Sequence, residues 1–155
     1  MSEDGEFTPP GAYLPRFRLR GAHALDVVPG LTQDEIRQGK PMPDFETLFE
    51  QWVPPDPNDV MVHLILFLGW DDDAGSDDFH TTIWTQAAVD RVNRERKRKR
   101  ERPLNTRRCI IVHQYDWLKI KIGILNVIAK CERATYQESA AELNKHFAWE
   151  YGKHQ

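Results

Sequence analysis

Residues Val60 to Thr85 constrain the fold more than any other stretch of this chain. They read VMVHLILFLGW, then DDDAGSDD, then FHTTIWT. The first segment is a nearly unbroken apolar run of strand length. Bounded by turn signals, such a run predicts a strand buried on both faces. The last segment alternates, with Phe79, Thr81 and Ile83 set against His80, Thr82 and Trp84, which is the period of a strand with two unlike faces. Gly69 and Gly75 bracket the connection. The pair reads as a β-hairpin whose tip holds Asp71, Asp72, Asp73, Asp77 and Asp78, with no base inside the stretch.

Around this hairpin the chain supplies further elements. Residues 1–14 are polar and proline-bearing and read as a loose tail. In PRFRLR, Phe17 and Leu19 alternate with arginines, as in an edge strand whose charges discourage foreign pairing. TQDE (32–35) is a capping-box pattern opening a short helix that ends near Gly39. Asp44 to Trp52 admits two readings: Phe45, Leu48, Phe49 and Trp52 share one helical face, which favours a helix, while the aromatic content and the following Pro54-Pro55-Asp56-Pro57 suit a strand leading into a turn. Thr85 is placed to cap a helix running into the basic stretch RVNRERKRKRER (91–102), with Pro103 and Asn105 as its stop. RRCIIVHQ (107–114) reads as a strand, and Asp116 as the cap of a helix from Trp117 to Cys131 that is buried on most sides. TYQE (135–138) opens a last helix, with Tyr136, Ala140, Leu143 and Phe147 inward, before a terminal strand at 149–151. These elements predict an α+β fold: a mainly antiparallel sheet of four to five strands, two to three helices on one face, and one domain over 15–152.

Charge narrows the function. The net charge is only −3, yet residues 45–90 hold ten acidic groups and no Lys or Arg, while residues 91–155 hold sixteen basic against seven acidic groups. Polarised chains of this kind handle charged macromolecules more often than small neutral ligands. No apolar run reaches the roughly 18 residues of a membrane span, and no signal-peptide layout opens the chain, so a cytoplasmic home is expected. Cys109 and Cys131 fall in apolar surroundings and read as small core residues rather than a disulfide or redox pair.

Catalytic and metal signatures are missing. His23, His63, His80, His113, His146 and His154 form no zinc-binding spacing, and there is no GxSxG, P-loop or GxGxxG. His63 and His113 fall inside expected strands, as structural residues do. His113 and Asp116, near Tyr115, could form a general-base pair only with a nucleophile that the sequence does not show. No catalytic residue, cofactor or metal is therefore assigned. The five aspartates admit three readings: a solvated turn, a cation site or a docking surface. DDDAGSDD lacks the late bidentate Glu of a calcium loop, which counts against the cation. Docking has a mechanism, because clustered carboxylates steer the encounter with a basic cleft, and Trp70 beside them is the residue type that anchors interfaces. Trp70 is equally suited to the core. The basic run, including Arg94, Arg96, Lys97, Arg98, Lys99 and Arg100, reads as a solvated helix end, a nucleic-acid contact or a second protein-docking surface.

From about residue 52 to 151 the order of features resembles the immunity protein 8 family of bacterial polymorphic toxin systems. The matching pieces are WVPPDPNDV (52–60), the strand ending LGW (68–70), the acidic loop into FHTTIWT (79–85), IIVHQYDW (110–117) and YQESAAELNKHFAWEY (136–151). The resemblance implies a small bacterial cytoplasmic antidote that binds a cognate toxin domain and performs no reaction. On that reading the partner is the toxin domain, held at Trp70, Asp71, Asp72, Asp73, Asp77 and Asp78. The protein itself is a monomer or weak homodimer, and neither membrane nor nucleic acid is an expected partner.

Overall fold

The computed structural model of the chain describes residues 16–28, 31–71 and 75–152; the 1–14 tail and Asp72 and Asp73 lie outside the described residues. Five strands form one sheet: β1 (Phe17–His23), β2 (Met61–Trp70), β3 (Asp77–Thr85), β4 (Ile110–Val112) and β5 (Ala148–Trp149). The order is β1-β2-β3-β4, with β5 also on β3. β1–β2, β2–β3 and β3–β5 pair antiparallel, and β3–β4 pairs parallel. A parallel neighbour requires a crossover, and the chain makes it through α3 (Gln86–Arg98). The other helices are α1 (Gln33–Arg37), α2 (Phe45–Gln51), α4 (Trp117–Cys131) and α5 (Tyr136–Leu143). The expected α+β class and mainly antiparallel sheet are found.

One face of the sheet makes the core. Val62, Leu64, Leu66 and Leu68 of β2 and Phe79 and Ile83 of β3 cluster with Phe49 of α2, with Trp117, Ile120, Ile124 and Ile128 of α4, and with Ala140 and Leu143 of α5. Three helices thus cover this face; α1 has no buried residue, and Ala88 and Val89 of α3 lie outside the cluster. The expectation that β2 is buried on both faces is wrong. Met61 and His63 are exposed and Ile65 and Phe67 half-buried, because α2, α4 and α5 pack against the even-numbered side. The apolar run of β2 hid an ordinary two-faced strand. The same correction applies to α4: Leu118, Ile122 and Leu125 are 54%, 59% and 40% exposed, so the helix is buried along one stripe rather than on most sides.

Helix starts follow the cap chemistry. The Thr32 hydroxyl accepts from the Glu35 amide while the Glu35 carboxylate accepts from the Thr32 amide, so the capping box is complete. Asp44, Thr85, Asp116 and Thr135 each accept from an amide of the first turn. At Thr135 the second arm differs, since Glu138 takes the Thr135 hydroxyl proton instead of a backbone amide. α3 stops at Arg98, well before the expected Pro103. Arg100 adopts φ 60°, its amide donates to the Lys97 carbonyl, and the Glu101 amide donates to Arg96, a Schellman ending made without glycine. β4 covers only 110–112 of the expected 107–114, and the last strand is 148–149 rather than 149–151.

Candidate functional site

The acidic hairpin end rests on an aromatic layer. Phe17 meets Trp70 edge-on at 5.0 Å, Tyr136 at 5.5 Å and Phe79 at 6.1 Å, and Phe79 stacks on Trp149 at 6.1 Å. Trp70 is half-buried in this layer, with the Arg16 guanidinium over its ring at 5.6 Å. Its indole is therefore mainly a structural member, capped by a cation on its outer side.

The described aspartates have separate surroundings. Asp71 sits at φ 45°, donates its amide to the Arg16 carbonyl at 2.8 Å and pairs its carboxylate with Arg16 at 3.5 Å. Asp77 shares the core-side parity of Phe79 and accepts from the Trp149 indole N–H at 3.3 Å. Desolvation pushes its carboxyl above the usual range despite that bond, and the negative charges of Glu150 and Asp78 push the same way. Asp78 has the opposite parity and lies across from Phe67; its amide donates to the Glu150 carboxylate at 3.1 Å.

The sequence stretch holds no base, but the fold brings bases to it. A bulge between Leu19 and Gly21 releases Arg20 from the β1 ladder. Its side chain crosses β2 over Gly69, where a Cβ would lie 2.0 Å from Nε, so only glycine leaves room. The guanidinium then donates to the carbonyls of Asp71 and Gly75 at 2.8 Å each. Arg20 ties the two ends of the acidic loop together, and Arg16 holds the first carboxylate. Sequence reasoning missed both, because their partners lie some fifty residues away along the chain.

The basic run is partly neutralised within itself. Arg98 and Lys99 pair with Glu95, Arg96 reaches Glu101 and donates to the Arg102 carbonyl, and Arg91 makes a two-point bond to Asp59 at 2.8 and 2.9 Å. Arg94, Lys97 and Arg100 are exposed and have no ion pair among the described residues. Arg96, Lys97 and Arg98 also complement the negative end of the α3 dipole.

Of the residues considered for catalysis, Tyr115 and Asp116 have structural partners. The Tyr115 hydroxyl donates to the Phe49 carbonyl at 2.6 Å, and burial raises its pKa beyond the working range. Asp116 caps α4, and His113 lies exposed just past β4 rather than inside it. His63 Nδ1 meets the Thr82 hydroxyl at 3.0 Å. Burial pushes the thiols of Cys109 and Cys131 up, away from reactive thiolates. Among the described residues, no three His, Cys, Asp or Glu side chains converge as a metal site would require.

Comparison with curated proteins and with solved structures gives no match. The family model for immunity protein 8 matches residues 41–154, a span that runs from α2 through β5 and leaves β1 and α1 outside. That span is most of the chain and takes in every helix and strand of the core except β1, so the chain belongs to the immunity protein 8 family.

Proposed function

We propose that this protein is a bacterial cytoplasmic antidote that neutralises a cognate toxin domain by binding it, and catalyses nothing. Family membership over 41–154 is the observation that carries this reading. The proposed contact is the hairpin end, with Asp71, Asp72, Asp73, Asp77 and Asp78 and the neighbouring Trp70. Carboxylates gathered at one end of a molecule attract a basic cleft and speed encounter. The Arg20 strap supports the assignment, because it fixes Asp71 and Gly75 at the two ends of the acidic segment, and groups fixed before binding lose less entropy on binding. Arg94, Lys97 and Arg100, which have no ion pair among the described residues, supply a second, cationic contact surface on the same reading.

Co-expression with the toxin domain encoded beside this gene tests the function. The expected result is survival of the host cell and recovery of a stable complex. Cell death with no complex recovered contradicts the proposal.

A further inference from the structure

The face of the sheet opposite the core cluster carries a cavity of about 570 Å³, a volume typical of small-molecule sites. Strand register builds its floor. His23 of β1, Ile65 of β2, His80 of β3 and Ala148 of β5 form one row across the sheet. His63 lies two residues along β2 on the same face, bonded to Thr82. Arg107 and Arg108 close one side. Asp26 is the only acid in the lining among the described residues, so the arginines leave the balance of fixed charge cationic.

Arg108 is the informative residue. Its carbonyl is fixed by the Thr81 hydroxyl at 2.7 Å, which sets the backbone at the cavity wall. Among the described residues its Nε and Nη2 are buried and have no hydrogen-bond partner. Buried donors left unmet cost about 1–3 kcal/mol each, and more when charged, which is why folded proteins rarely keep them. Those two nitrogens are closed to solvent; what the cavity presents to a guest is two arginines against one aspartate, with three histidines and the Thr82 hydroxyl, a lining that suits an anion. Guanidinium suits planar oxyanions because its donors form a fixed fork. Neutral imidazole offers one N–H per ring, and Thr82 a hydroxyl.

We propose that this cavity binds an oxyanion, a phosphate or carboxylate group on a small polar molecule, with Arg108 as its counter-charge and His23, His80 and Thr82 as surrounding donors. The site is independent of toxin binding and stands on different residues from the hairpin end. Titration of the ¹⁵N-labelled full chain at fixed pH tests it, with sodium phosphate in one arm, sodium citrate in a second and sodium chloride at matched ionic strength in a third. Saturable amide shifts confined to residues 23–26, 63–65, 80–82 and 107–109 are expected in the first or second arm, and the responding arm identifies the ligand chemistry. Arg108→Met should weaken binding by about tenfold or more, the equivalent of one charge-assisted hydrogen bond. Should that variant not fold, His80→Ala at an exposed position carries the same test, with a smaller loss of affinity. Equal shifts with chloride, no saturable shift with phosphate or citrate, or unchanged affinity in the folded variants would overturn the proposal.

Discussion

Leu66 and Ile65 are neighbours in β2 and show how differently the two sides of one sheet are used. Leu66 is fully buried, in the cluster with α4 and α5. Ile65 is half-buried, paired with His23 on one side and His80 on the other. The same contrast runs along the whole strand. Val62, Leu64 and Leu68 face helices, while Met61, His63 and Phe67 face a side that no helix of the core cluster covers. The helix side holds the fold together. The other side has chemistry to spare, including three histidines, two arginines and a cavity. A single residue step in register thus separates the packed side of β2 from the side that lines the cavity.

The largest effect that sharpens this contrast is expected from removing side chains on the two sides. Leu66→Ala should cost about 2–5 kcal/mol, the transfer energy plus the cavity left behind. Ile65→Ala should cost about 1 kcal/mol, typical of a partly exposed site. Urea unfolding of the two variants measures both, and equal losses would show that the second side is as tightly packed as the first.

A smaller effect is expected where the helix side reaches the hairpin end. Asp77 is desolvated there, so the folded state holds its proton more tightly than the unfolded chain does. Its contribution is therefore most favourable below the ordinary aspartate range and declines as pH rises through the raised folded value. Asp77→Asn keeps an acceptor for the Trp149 indole and removes the desolvated charge. Its thermal midpoint should exceed that of the parent at neutral pH, and the difference should vanish in acid. A lower midpoint at neutral pH would mean that the ionised carboxylate is itself stabilising.

The hairpin, the α2 stripe and the N-caps were legible because their signals are local: alternation, i/i+3/i+4 spacing and an oxygen side chain before a first turn. Helix ends show where local signals fail. α1 ends at Gly39 with φ 80°, and the glycine announces it. α3 ends through the same left-handed geometry at Arg100, a residue that gives no such warning, whereas Pro103 is the stop that local signals point to. The two faces of β2 were hidden because Ile65 and Phe67 are as apolar as the residues that are buried. The Arg20 strap and the Arg108 cavity depend on which strands become neighbours, and no periodicity within a strand carries that information. At the hairpin, Asp71, Asp77 and Asp78 look alike in sequence; only the fold distinguishes an ion-paired, an indole-bound and an outward-facing carboxylate.

The central claim is that the acidic hairpin end steers a toxin onto this protein. Association rate constants measured across ionic strength, for the parent and for a variant carrying Asp71→Asn, Asp72→Asn and Asp73→Asn, test it most directly. The account predicts slower association of the variant, by about tenfold or more at low salt, and a flattened salt dependence. Identical rates and an identical salt slope for the two proteins would contradict it.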